Sequence, residues 1–251
     1  MQVVTTSGRP DLMAGAGAAF RKGWPEFIFH DEVPPRYMGR VERYFPEYSL
    51  LLLEQGRVVA GGWGVPFAWD GSVVDLPTGY DDALIRSVGE HEAGRRPNTL
   101  SFMAASVAAT DEGRGLATQV LRALIERGLD AGLERVVAPL RPTWKHRSPH
   151  IPMAEYARWT RTDGLSIDPW IRTHQRMGAG ILGPARRSMV IEGTVAEWEA
   201  WTDMLFPVTG SYVVPEALNL VHIDRERDRG TYVEENLWVE HPVGSPPSRP
   251  T

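Results

Sequence analysis

The chain has 251 residues, a formal net charge of −5 and no cysteine. Disulfides, thiolate metal sites and cysteine nucleophiles are therefore excluded, and the acidic balance argues against general nucleic-acid binding. With neither a long apolar run nor an N-terminal signal pattern, the sequence predicts a cytoplasmic protein outside the membrane. Its length suits one large domain.

The first third of the chain predicts two helices between strands. Period and turn residues place strands and helices as follows: a strand at 1–5, helices at 11–22 and 34–44, and a hairpin of strands 48–54 and 57–63 that turns at Gln55-Gly56. Between the helices, residues 24–32 combine aromatic and acidic side chains, which suits either a cationic ligand or simple core packing under a turn.

Residues 99–140 are the most informative segment. An apolar strand at 100–108 is followed by Glu112-Gly113-Arg114-Gly115-Leu116-Ala117-Thr118, then by a helix with one apolar stripe, then by a strand at 135–140. Glycines let a backbone approach an anion closely, and the first turn of a helix offers unpaired N–H groups. The segment therefore predicts a site for a phosphate group.

Three phosphate-binding patterns were compared on this loop. A P-loop is excluded because no lysine followed by a hydroxyl residue ends it, and a dinucleotide fingerprint fits poorly because Thr118 stands where its third glycine belongs. The third pattern, Arg/Gln-x-x-Gly-x-Gly/Ala, is matched by Gly115 and Ala117. With the order of its strands and helices, the chain resembles the GNAT superfamily of acyl-CoA-dependent N-acetyltransferases.

The resemblance implies a mixed α/β sheet, acetyl-CoA as the acyl donor, and a small-molecule or peptide amine as the acceptor. It implies that residues 107–109 hold the pantetheine arm and that a backbone N–H near Val107 polarises the thioester carbonyl. The expected cofactor-binding residues are Val107, Ala108, Ala109, Gly113, Arg114, Gly115, Leu116, Ala117 and Thr118. The chain departs from the family pattern at Glu112, where a cation or amide is usual, and Arg114 could supply the missing charge.

Residues 141–167 look like an insertion after the fifth strand of this fold, with a helix at 153–161. Lys145, His146 and Arg147 within it could meet CoA phosphates or form a solvated basic loop. The next helix is expected to begin at Asp168 as N-cap with Pro169 in its first turn, and to end near Gly178.

Counting back from Gly178 places His174 at the position of a tyrosine that, in the family, protonates the leaving thiolate. A charged imidazole with an ordinary pKa of about 6.5 could donate that proton. Tyr156 is the competing catalytic donor, and a structural role for His174 stays open. The carboxylates near predicted strand or loop ends include Asp75, Glu90, Glu234 and Glu235, and no spacing identifies one of them as the general base.

The last third predicts a helix at 195–204, with Trp198 and Trp201 on one buried face, and strands at 190–194, 211–214, 220–223 and 236–239. Residues 1–242 would form the single domain, and 243–251 a disordered tail. No metal site is expected, since no ligand spacing occurs. A non-catalytic acyl-CoA sensor and a dinucleotide-binding protein remain as alternatives, and the oligomeric state, monomer or homodimer, is left open.

Overall fold

Nine strands form one mixed sheet in a computed structural model that describes residues 1–13, 21 and 24–243. In chain order the strands are β1 Gln2–Thr5, β2 Ser49–Glu54, β3 Arg57–Phe67, β4 Thr99–Val107, β5 Arg135–Leu140, β6 Gly180–Gly193, β7 Gly210–Tyr212, β8 Val221–Asp224 and β9 Arg229–His241. The described helices are α1 Val33–Tyr44, α2 Tyr80–Glu92, α3 Leu116–Asp130, α4 Met153–Tyr156, α5 Pro169–Arg176 and α6 Val195–Thr202. The predicted mixed α/β sheet is confirmed.

The sheet opens in its middle, between β4 and β5. The strand order is β1-β2-β3-β4-β5-β9-β8-β7, with β6 also on β9, and β4–β5 is the parallel pair. Only Thr99–Ser101 of β4 pair with β5, and the register of β4 on β3 skips Met103, which bulges out. A bulge bends its strand. Beyond Ser101 the two strands part, and we call the gap between them the seam.

Helix α3 covers β3 and β4 as its apolar stripe predicts. Leu116, Val120, Leu121 and Leu124 are buried in the main core. The helix lies so close to the sheet that a Cβ on Gly62 would come within 2.6 Å of both Val120 Cγ1 and Ala104 O. Packing of α3 therefore fixes its N-terminus at the open end of β4.

A second core lies under the C-terminal strands. Trp198 of α6 is fully buried against Phe27 and Tyr232, with ring centroids 5.7 and 6.4 Å away, and Trp201 is partly buried beside it. The predicted buried face of this helix is confirmed. Thr194 and Glu197 close its N-terminus with a capping box, which anchors the helix over β9.

Several predicted bounds were wrong. Helix α2 was not foreseen, because Gly89 and its many polar residues leave a short apolar stripe of Ala83, Leu84 and Val88. Strands β6 and β9 run far beyond 190–194 and 236–239, since two register shifts in their pairing break the alternation. The helix expected at 153–161 ends at Tyr156, and the one at 11–22 lies largely outside the described residues, as does the tail from 244 onward.

Residues 141–167 pack into the main core through Met153 and Tyr156. The expected N-cap is confirmed, because the Asp168 carboxylate accepts the backbone N–H groups of Trp170 and Ile171 at the start of α5. Among the described helices, none is long and apolar enough to cross a bilayer.

Candidate active site

A cleft of about 1580 Å³ follows the seam through the sheet. One wall is β4 from Phe102 to Val107, and the other is the end of β5 with α5. The first turn of α3 closes one end, and residues from the segment 24–31 line another part. The cleft thus joins the predicted phosphate loop to the segment predicted to face the acceptor.

The loop before α3 presents backbone N–H groups to this cleft. Gly113 and Gly115 have left-handed φ angles of 76° and 72°, and a Cβ at either would meet nothing within 4 Å. The first amide of this turn to find a protein acceptor is that of Gln119, which donates to Gly115 O at 3.3 Å. Within the described chain no acceptor binds the amides of 113–118, and no side chain caps the helix. Such unpaired amides at a helix N-terminus can bind an anion.

The side chain of Arg114 belongs to an ion-pair cluster beside the loop. Its guanidinium lies 2.7 Å from Glu54 and 2.6 Å from Asp111, and Arg57 also binds Asp111 at 2.6 Å. The hydrogen bond from Arg57 holds the pKa of Asp111 well below its usual range. This cluster ties the loop to the β2–β3 hairpin and engages the Arg114 side chain, which is not among the residues that line the cleft.

Most of the expected cofactor-binding residues line the cleft. They are Val107, Ala109, Gly113, Gly115, Leu116, Ala117 and Thr118. Arg114 and Ala108 do not line it, and the Ala108 amide donates instead to Val59 O at 3.0 Å. Glu112 is exposed at the cleft.

His174 lies in the cleft wall and is 1% exposed. Its Nδ1 is 2.7 Å from Nε2 of His241, and its Nε2 is buried with no partner in the described chain. Burial first, and then His241, lowers the pKa of His174 well below 6.5, while burial lowers the pKa of His241 to about 4. Both rings are therefore neutral near pH 7, so the charged proton donor expected from the sequence is disfavoured.

Tyr156, the competing candidate for the proton donor, does not line the cleft. It is 1% exposed and donates its hydroxyl to Asp168 Oδ2 at 2.9 Å. Burial raises its pKa far above 10. The geometry gives Tyr156 a structural position and no support as a proton donor.

The cations near the phosphate loop also differ from those considered in the sequence. Lys145 is fully buried and donates to the carbonyl oxygens of Ser148 and Leu218, so it cannot reach a ligand in the cleft. Arg122 and Arg176 line the cleft instead, and neither forms an ion pair with a described residue. Arg122 was missed because it simply continues the polar face of α3.

The other part of the cleft is aromatic and acidic. Trp24, Phe29 and Asp31 line it. Phe27 is buried in the second core and Trp24 packs against that core, so core packing is confirmed for part of 24–32, and a cationic ligand there stays a prediction. Asp31 is 2% exposed and Asp81 on α2 is 8% exposed, and the two carboxyl groups lie close enough that, in addition to burial, the charge of Asp31 raises the pKa of Asp81. No sequence spacing joins these two residues.

A second buried group lies beside this pair. Glu234 is fully buried and binds Arg141, whose Nε is 3.0 Å from Glu234 Oε2. Tyr232 and Asn236 donate to the same carboxylate at 2.8 and 2.9 Å. By contrast, Asp75 and Glu90 bind Arg86 outside the cleft, and Glu235 accepts the Met153 amide. We call Asp31, Asp81, Glu234 and Arg141 the acidic cluster.

Known proteins match this chain along its whole length. No family model matches it. Arginine N-acetyltransferase avaD from Aspergillus versicolor is 32% identical to it over 95% of this chain and 93% of its own. Among solved structures, the loading GNATL domain of CurA from Lyngbya majuscula has a TM-score of 0.58 at 15% identity, covering 96% of this chain and 97% of that one. The GphF GNAT-like decarboxylase in complex with isobutyryl-CoA has a TM-score of 0.58 at 16% identity, covering 97% and 100%.

The two structural matches share the fold, and the relative from Aspergillus is identical at 32% of the aligned positions over nearly the whole of both chains. As the resemblance of the sequence to acyl-CoA enzymes implies, the glycine loop follows β4 and leads into the N-terminus of α3. This chain belongs to the GNAT-fold N-acetyltransferases and transfers an acetyl group from acetyl-CoA to an amine.

Proposed function

We propose that the acceptor is arginine or a closely similar amine with a second cationic group, and that it attacks the thioester of acetyl-CoA directly. The name of the Aspergillus relative supports the arginine side chain as the acceptor's distinctive feature. The observation that carries the proposal is that one cleft joins free helix amides to buried carboxylates. Such a cleft offers an anion site and a cation site within one cavity.

In this proposal the pyrophosphate of CoA binds the amides between Gly113 and Thr118, with Arg114 contributing only its backbone. Arg122, in the second turn of α3, adds positive charge near these amides, and Arg176 also lines the cleft. The pantetheine arm then lies along β4 as an added strand, where the strand lacks a partner on β5. Val107 and Ala109 lie at the end of that stretch.

Direct transfer needs no covalent enzyme intermediate. The acceptor nitrogen forms the new C–N bond as the C–S bond breaks, and the proton that the nitrogen loses ends on the thiolate. A backbone N–H of β4 near the Met103 bulge or Val107 would stabilise the oxyanion. His174, neutral and with Nε2 unpartnered, would hold an N–H toward the sulfur if His241 donates to its Nδ1.

A thiol-release assay tests the proposal. Acetyl-CoA and a thiol reagent are incubated with arginine, agmatine, lysine or citrulline, and the chain contributes no thiol background because it lacks cysteine. We expect CoA release with arginine and little with citrulline, whose side chain is uncharged. Binding of acetyl-CoA without release in any mixture would favour the sensor alternative. Stabilisation by NAD and none by acetyl-CoA would favour the dinucleotide alternative.

His174→Phe tests the role of the imidazole. We expect kcat to fall by about 100-fold, in the usual range for loss of a proton-transfer group, while the KM for acetyl-CoA changes less than about twofold. Since the pKa of His174 is well below 6.5, wild-type kcat should show no inflection near that pH from this residue. His222→Ala, at an exposed position of β8, is the matched control. An unchanged kcat would remove His174 from the mechanism.

A further inference from the structure

Building on the proposed function, we propose that Asp31 and Asp81 form the subsite for the cationic group of the acceptor, a guanidinium or an ammonium. In the free enzyme the two carboxyl groups share a proton, and the cation takes its place. The mechanism above assigns no role to either residue. Three features of Asp31 and Asp81 support this subsite: both side chains are buried, each has an oxygen without a hydrogen-bond partner among the described residues, and neither forms an ion pair with a described cation.

Each carboxyl group is half satisfied. Asp31 Oδ1 accepts the Val33 amide at 2.9 Å, and Asp81 Oδ2 accepts the Val190 amide at 3.2 Å. Asp31 Oδ2 and Asp81 Oδ1 are buried and have no partner among the described residues. Asp31 lines the cleft and is 2% exposed, so its free oxygen is hidden from bulk water at the cavity wall. A buried carboxylate oxygen without a donor is costly unless a ligand supplies one.

Among the described residues, no cation forms an ion pair with either of these two carboxyl groups. Glu32, Glu234 and the hydroxyl of Tyr80 are the other titratable groups near the pair, and all are neutral or negative. Of the described cations that line the same cleft, Arg141 binds Glu234 by two contacts of 3.0 and 3.1 Å from its Nε, and the Arg21 guanidinium lies 3.8 Å from the ring centroid of Phe29. Burial, followed by the charge of Asp31, raises the pKa of Asp81 to about 9. The pair therefore holds a proton at neutral pH.

The free oxygens suit a cation with several donors. A guanidinium offers N–H groups in a planar fork and can bind two carboxylates at once, whereas an ammonium is a compact charge. Trp24, which lines the same part of the cleft and has the Arg141 guanidinium 5.5 Å from its ring, adds an aromatic face for the aliphatic part of an acceptor. The subsite therefore prefers acceptors that carry a cation besides the nitrogen that is acetylated.

Asp31→Asn and Asp81→Asn test the subsite by kinetics. Asparagine keeps an oxygen for the Val33 or Val190 amide and removes the charge. We expect the KM for arginine to rise by about 30-fold or more, as for loss of one partner of a buried charge pair, with the KM for acetyl-CoA within about twofold. Asp82→Asn is the matched control, because this neighbour on α2 only accepts the Thr78 amide. An unchanged KM for arginine in both variants would overturn the proposal.

Calorimetry adds a readout that does not depend on turnover. Arginine hydrochloride is titrated into the wild-type protein at pH 6 and pH 8, in phosphate and in Tris. Because the cation displaces a proton, binding should tighten as the pH rises and the apparent enthalpy should differ between the buffers. Asp81→Asn should abolish both effects. A Kd independent of pH and buffer would contradict proton exchange at the pair.

The two proposals fail separately. If arginine is acetylated and the Asn variants behave like the wild type, the subsite is wrong and the function stands. If arginine is inert but lysine or agmatine is acetylated and depends on Asp31 and Asp81, the arginine proposal is wrong and the subsite stands.

Discussion

The two ends of the cleft are built by different means. The end at 113–118 consists of backbone amides from one continuous stretch, held by the helix that follows it. The acidic cluster draws side chains from four distant segments, at Asp31, Asp81, Arg141 and Glu234. In the proposed function, the first end binds a group common to every acyl-CoA, and the second end binds the acceptor. The proposed phosphate site therefore consists of residues adjacent in sequence, whereas the proposed acceptor site consists of residues that only the fold brings together.

Arg141→Met breaks the acidic cluster and should have the largest effect. Glu234 has no exposed surface in its side chain, so removing its cation leaves a buried charge, and we expect a loss of about 3–5 kcal/mol in the free energy of unfolding. Arg114→Met at the other end removes contacts with Glu54 and Asp111. Arg114 and Glu54 are 42% and 36% exposed, and the buried Asp111 keeps its bond to Arg57, so the loss should be about 1 kcal/mol. Urea denaturation measures both. Equal losses in the free energy of unfolding for Arg141→Met and Arg114→Met would contradict the difference between the two ends. The double variant Arg141→Met/Glu234→Gln should recover part of the stability that Arg141→Met loses.

Gly115→Ala addresses the backbone end. A Cβ at this left-handed position faces open space beside the amides, so we expect the KM for acetyl-CoA to rise by about tenfold and the KM for arginine to stay nearly constant. Gly132→Ala is the control, since Gly132 has a φ of 79°, equally open surroundings and a position after the far end of α3. The control should lose similar stability, by thermal melting, with no change in KM.

Asp81→Asn should raise the free energy of unfolding although it weakens the binding of arginine. The pKa of Asp81 is raised to about 9 in the folded state, against an ordinary value of about 3.9 in an unfolded chain. Between these values the folded state keeps a proton that the unfolded state has released, so the free energy of unfolding falls as the pH rises. At pH 8 the variant should be more stable by over about 1 kcal/mol, and the gain should shrink toward pH 5. Asp82→Asn should show no such trend in urea denaturation.

Arg122→Ala should give the smallest effect. This exposed cation lines the phosphate end, and its loss should raise the KM for acetyl-CoA about threefold at low salt and less in high salt, because exposed charges are screened. Arg127→Ala, on the same helix but outside the cleft lining, should leave KM unchanged. If the change in the KM for acetyl-CoA is independent of ionic strength, an electrostatic role for Arg122 is excluded.

The sequence predicted what local periodicity and capping determine. Helix α3, its glycine loop and the Asp168 cap were foreseen because each depends on neighbours within a few residues. Helix α2 and the full lengths of β6 and β9 were not, since long-range pairing overrode weak local patterns.

The same limit applies to the site. The lowered pKa of His174 results from burial and then from His241, 67 residues away, and Asp81, which lies near Asp31, is on helix α2. Arg114 was assigned to the phosphate because its position in the motif says nothing about Glu54 and Asp111. A sequence alone carries no record of such distant contacts.

The seam also leaves unpaired backbone in the middle of the sheet. Beyond the three register pairs at Thr99–Ser101, the N–H groups of β4 that face β5 lack a strand partner, so their protons can exchange with solvent deuterium. An extended acyl-CoA would cover them. Deuterium uptake along β4 should therefore fall when the donor binds, although this strand lies at the centre of the fold, where slow exchange is usually expected without any ligand.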